Sequence, residues 1–179
     1  KISPEMLDDE RITEFDKEIY KDQINSSEQK KFKRLFNYYL KYKYREEILN
    51  SIFEKYFDET EMSKSLYMNP KDVMDMHNAG HVIGSHTHTH RVLSRLSREE
   101  QTFEVEKSEK ILSDIIGLKW LENKTLCYPY GGSESFNKVT EEILNQKNYK
   151  ASFMVGNVKV TKNSVILKQR LNRIDCNRF

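Results

Sequence analysis

The stretch GHVIGSHTHTH at residues 80–90 holds four of the chain's five histidines. Imidazole nitrogen is a common ligand of divalent transition metals, and a catalytic zinc site takes three protein ligands while leaving one position open. Two histidines with three residues between them can meet one ion if that segment is helical or tightly coiled. His86 and His90 have this spacing, and so do His77 and His81. Gly80 interrupts the second pair, so only His86 and His90 are expected to converge. His88 alternates with them and is expected to point away, exposed or standing behind the ligands. An isolated HxxxH pattern is often an ordinary polar turn, and here the flanks favour a site. GHVIGSH reads as a buried strand, His81 to Gly84, with a glycine near its exit, and RVLSRLSREE anchors the loop through Leu93 and Leu96 before a capped helix.

These residues have to be positioned by regular elements. MNPKDVMDMHNAG at 68–80 reads as a short helix with Asn69 as cap, Pro70 in the first turn and Gly80 as the stop. Ser97 followed by Glu100 is a capping-box pattern opening an amphipathic helix to about Gly117, with Phe103, Val105, Ile111, Leu112, Ile115 and Ile116 as its apolar positions. KTLCYPYGG reads as a strand ended by a proline and a glycine pair, FNKVTEEILNQKNY as a helix, KASFMV as a strand, and VILKQRLNRID as at least one more strand. After Asn69, helices and strands therefore alternate, which predicts an α/β architecture with parallel strands. Both HTHTH and YPYGG follow predicted strands, where sites gather in such folds. Upstream, EQKKFKRLFNYYLKYKYREEILNSIFEKYF at 28–57 carries an aromatic and aliphatic stripe that predicts one long helix or two consecutive ones, packed as a helical insertion. The expected division is a helical insertion or lid over 1–66 and the site-bearing domain over 67–179.

The composition narrows the function classes. Lys and Arg number 30 against 28 Asp and Glu, interspersed to a formal charge of +2, so there is no broad cationic field for nucleic acid. No run approaches ~18 apolar residues, which excludes a predicted membrane-spanning helix. Cys127 and Cys176 form no CxxC spacing and no disulfide framework, compatible with a reducing compartment and weakly favouring the cytoplasm. The opening KISPEMLDDERITEFD has no signal-peptide pattern and no initiator Met, so the chain is expected to be a processed or truncated piece.

Taken together, GHVIGSHTHTHRVLSRLS and the later CYPYG resemble the polysaccharide deacetylases of the NodB homology type. The resemblance covers about residues 67–179 and implies part of a deformed (β/α) barrel. It places metal ligation, by zinc or another divalent transition metal, on His86 and His90, with Thr87 as a supporting hydroxyl. It also makes YPYG a wall of the substrate groove. There Tyr128 and Pro129 would contact substrate, and the Tyr130 backbone amide would polarise the carbonyl oxygen. LNRID resembles the late strand whose arginine, here Arg173, orients the catalytic aspartate.

Three departures accompany the match. Cys127 stands where the family's second wall motif opens with arginine. The opening strand ending Thr-Phe-Asp-Asp-Gly, source of the base and the third metal ligand, has no counterpart. Asp8 and Asp9 are adjacent but lack the preceding strand and the following glycine, so those aspartates are expected outside this sequence. No histidine follows His90 to act as the family's late acid. The implied activity is metal-dependent removal of an N-acetyl or related acyl group from a sugar or polysaccharide. The alternatives are a metal-dependent amidohydrolase acting on a small amide, or a degenerate carbohydrate- or metal-binding module. Tyr128, Tyr130 and Trp120 are also open to a plain packing role.

Overall fold

The computed structural model describes residues 2–8, 20, 24–156 and 158–174. The chain divides into two compact units, Lys1–Tyr67 and Met68–Phe179.

In the first unit, Ser26 and Gln29 form a reciprocal capping box that starts α1, Ser27–Arg34. The helix loosens into a π-helical turn over Leu35–Tyr39 and stops at Leu40, whose backbone is extended. Leu40 is fully buried and pairs antiparallel with Leu7, and the Asp8 N–H donates to the Tyr39 carbonyl at 2.7 Å. This pairing draws the backbone out of helical geometry and divides the aromatic stretch, so α2, Tyr42–Tyr56, is a separate helix. A third, α3, spans Glu59–Leu66 behind the Asp58 cap. Only part of the apolar stripe is buried: Phe36 and Tyr38 are inside, whereas Phe32, Ile52, Tyr56 and Phe57 remain exposed.

Apart from residues 81–84, the second unit follows the predicted alternation. Asn69 caps α4, Pro70–Asn78, through a box with Asp72, and Gly80 leaves the helix in the left-handed region at φ +92°. Ser97 and Glu100 cap α5, Arg98–Ile116, which ends at Gly117, also at φ +92°. Strand β1, Thr125–Cys127, is followed by α6, Lys138–Gln146, then β2, Ala151–Val155, and β3, Leu171–Arg173. The sheet is parallel in the order β1-β2-β3, with Leu126 opposite Ser152 and Met154 opposite Asn172. Val92, Leu93, Val105, Leu126, Leu144 and Tyr149 fill the core without exposure.

Two expectations are corrected. The His81–Gly84 segment is not a buried strand: Val82 is 77% exposed, and only Ser85 forms a bridge, parallel to Leu126. A Val-Ile pair is buried in a sheet only when strands cover it, and among the described residues this segment has a sheet partner on one edge alone. Its approach to β1 is close, since a Cβ on Gly84 would lie 2.8 Å from Thr125 Oγ1. The Trp120 indole N–H donates to the Ile83 carbonyl at 2.7 Å, which places this nearly buried ring in a packing role. The second correction concerns α5. Its inward face carries Gln101, Glu104 and Ser108 beside Val105, while Phe103 is 56% exposed. Packing on this side is largely polar.

Removing the α5 cap by Ser97→Ala should lower stability by about 1 kcal/mol, and Ser97→Gly by only a few tenths, read as the shift of the urea midpoint. A second expectation comes from the phenols of Tyr128 and Tyr149, both fully buried, whose pKa values burial raises well above the ordinary 10. The folded state then keeps protons that the unfolded chain releases near pH ~10, so stability is intact below that pH and falls as pH rises above it. Unfolding free energy measured against pH should decline in the alkaline range by at most ~1.4 kcal/mol per pH unit for each phenol, and Tyr149→Phe should remove one share of the slope.

Candidate active site

The site gathers at the carboxyl ends of the parallel strands. The Ser85 N–H donates to Thr125 O at 2.8 Å and the Cys127 N–H donates to Ser85 O at 2.9 Å, which sets the start of the histidine loop against β1. One residue on, His86 Nδ1 lies 2.7 Å from the Cys127 carbonyl oxygen. A carbonyl only accepts, so Nδ1 carries the proton and the Nε2 lone pair is left to face outward. His90 Nε2 stands 3.1 Å from that atom, with the ring centroids 4.8 Å apart. Two nitrogens bound to one tetrahedral zinc at ~2.0–2.1 Å would be ~3.3 Å apart, so the observed separation is close to what a shared cation needs. Among the described residues, no set of three or more His, Cys, Asp or Glu side chains converges. The pair supplies two imidazole donors, and a third donor would have to join them.

The wall beside the pair is YPYG. The Tyr130 ring lies 4.8 Å from the His90 ring, and Tyr130 is partly exposed. The next residue, Gly131, takes φ +75° and accepts the Val155 N–H at 2.8 Å. A Cβ there would come within 2.4 Å of Val155 Cγ2, so glycine is required for both the turn and the contact. Tyr128 and Pro129, assigned to substrate contact by resemblance, are fully buried. Tyr128 stacks on Phe136 at 3.8 Å and donates its hydroxyl to the Gln169 carbonyl at 2.7 Å, which is the packing role for that ring. On β3, Arg173 sits opposite Val155, the residue bonded to Gly131, and its buried Nε has no hydrogen-bond partner among the described residues. Asp8 belongs to the first unit, while Asp9 and Asp175 lie outside the described residues.

Five non-glycine residues have positive φ among the described residues, and three of them, Thr87, His90 and Tyr130, are in these two loops. Such conformations cost free energy and persist only where surrounding contacts impose them. In the histidine loop several of the contacts come from α5. Ser85 Oγ and Ser108 Oγ are 2.8 Å apart, and the Thr87 N–H donates to Ser85 Oγ at 3.3 Å. Glu104 Oε2 accepts the backbone N–H groups of His88 at 3.0 Å and Thr89 at 2.7 Å, and Oε1 accepts the Thr89 hydroxyl. His88 itself turns outward, with its ring edge-on to Phe103 at 6.1 Å. The Thr87 hydroxyl is buried with no partner among the described residues. Sequence reasoning missed Ser85, Glu104 and Ser108. The available signal was the polar spacing of Gln101, Glu104 and Ser108 on the face that also carries Val105.

A family model described as polysaccharide deacetylase matches residues 50–152, more than half of the chain. No curated protein matches. Among solved structures, the chain is similar to the Streptococcus pyogenes deacetylase PplD in complex with acetate, at 26% identity and a TM-score of 0.54. The likeness covers 64% of this chain and 47% of that one, so the chain spans about half the length of the structure it matches. The shared fold is mixed α/β, a small parallel sheet with helices that forms part of a deformed barrel. The family match and this likeness agree with the motifs at His86–His90 and Tyr128–Gly131, and the chain belongs to the polysaccharide deacetylase family.

Proposed function

We propose that this site serves metal-dependent hydrolysis of an N-acetyl, or related acyl, group on a sugar or polysaccharide. The observation that carries the reading is the convergence of His86 and His90 Nε2 at 3.1 Å, with His86 Nδ1 held by the Cys127 carbonyl. His86 and His90 would hold zinc or another divalent transition metal. Such a metal, when bound, supplies Lewis acidity that polarises a carbonyl and acidifies water towards neutral pH.

The chain's own residues would then divide the work. The Cys127 carbonyl keeps the proton on His86 Nδ1, so an unprotonated Nε2 is presented. The Tyr130 backbone amide would donate to the developing oxyanion, and its ring, packed on His90, would shield one side of the site from water. Arg173 would orient a carboxylate at the end of β3. The base and third ligand would be the aspartate pair that the family carries on its opening strand. Acetate, the molecule bound in the Streptococcus pyogenes structure, is the acid that hydrolysis of an N-acetyl group releases.

The test is acetate release from N-acetylated chito-oligosaccharides by the chain, and by the longest natural form containing it, with and without zinc. Chelation should abolish release and zinc should restore it. His86→Ala and His90→Ala should each lower kcat/KM by at least about 100-fold, since even residues behind a metal's ligands are worth ~10–100-fold. Metal-loaded protein that releases no acid from any acetamido sugar would overturn the reading.

A further inference from the structure

We infer that Glu104 is the positioning residue of the histidine pair: its buried carboxylate, reaching in from α5, holds the coiled backbone that brings His90 back to His86. Glu104 is only 2% exposed, and among the described residues it forms no ion pair. A buried carboxylate without a cation needs hydrogen bonds to its charged form, and here all of them come from the loop, through the His88 N–H, the Thr89 N–H and the Thr89 hydroxyl. These donors lie between the two histidines. Extended backbone would carry His90 away from His86, and the left-handed turns at Thr87 and His90 prevent this. The carboxylate gathers two successive amides of the coiled segment onto a single oxygen, Oε2, and thereby favours that conformation over others. One turn further along α5, Ser108 contacts Ser85 and fixes the loop entry, so the helix grips the loop on both sides of His86.

The consequence for metal affinity rests on the proposed function, whereas the consequence for ring geometry does not. Zinc affinity would be measured by competition with a chromophoric chelator, and ring proximity by the NMR cross-peak between the His86 and His90 imidazoles in metal-free protein. Far-UV circular dichroism would monitor the fold. Glu104→Ala should keep its helical signal, lose the cross-peak and bind zinc about 10–100-fold more weakly. Glu104→Gln keeps an acceptor oxygen and nearly the same volume, so it should retain the cross-peak and bind zinc less than about 10-fold more weakly. That partial rescue is a result that general destabilisation of α5 would not produce.

An unchanged cross-peak and unchanged zinc affinity in Glu104→Ala would overturn the inference. Should Glu104→Ala fail to fold, Thr89→Val decides, because it removes only the hydroxyl donor: a weakened cross-peak supports the inference and an unaltered one overturns it. If neither the parent chain nor the longest natural form containing it binds zinc, the proposed function fails while the cross-peak still decides the role of Glu104.

Discussion

A single parallel bridge, Ser85 to Leu126, sets the register on which the site depends. Because Ser85 is paired to β1 through Thr125 and Cys127, the next residue on one side is His86 and the carbonyl on the other belongs to Cys127. Their 2.7 Å contact follows from that register without further adjustment. Slipping the pairing by one residue would turn His86 to the opposite face and remove the acceptor that orients it. The approach at Gly84 is close, and a Cβ there would have to displace the Thr125 hydroxyl, 2.8 Å away.

The chemistry asked of this region agrees with how it is built. The Cys127 carbonyl accepts from His86 Nδ1, the Glu104 carboxylate accepts the loop amides, and the Ser85 and Ser108 hydroxyls bond each other, leaving the imidazole Nε2 atoms facing each other. The strained backbone at Thr87, His90 and Tyr130 is concentrated where ligands and the groove wall meet. Family membership agrees with this arrangement, and at Cys127 it is the backbone carbonyl that takes part in the site.

What could be read from sequence was local, and what could not was remote. The caps at Asn69 and Ser97 and the stops at Gly80 and Gly117 depend on offsets of a few residues, and the first and second helices of the site-bearing unit begin and end where those signals lie. The pairing of His86 with His90 was likewise legible from spacing. The Val-Ile segment misled because burial of a strand is decided by its sheet neighbours, which a short apolar run does not reveal. The packing of Tyr128 depends on Gln169, 41 residues away, and the hold of Glu104 on Thr89 crosses 15 residues. In sequence, Glu104 looked like one more charge on an amphipathic helix, since a buried carboxylate is distinguished only by the donors that meet it.

The spacing of Glu104 and Ser108 also makes α5 a ruler. Four residues of helix rise about 6 Å, whereas the four steps from Ser85 to Thr89 would span roughly 13 Å if extended. Fastening both ends of that segment to one turn of helix leaves about twice as much chain as distance. The surplus has to coil, and the left-handed residue at Thr87 is where it does so. The separation of the two fastening points is therefore inherited from the rise of an α-helix, and the loop between them takes up the difference.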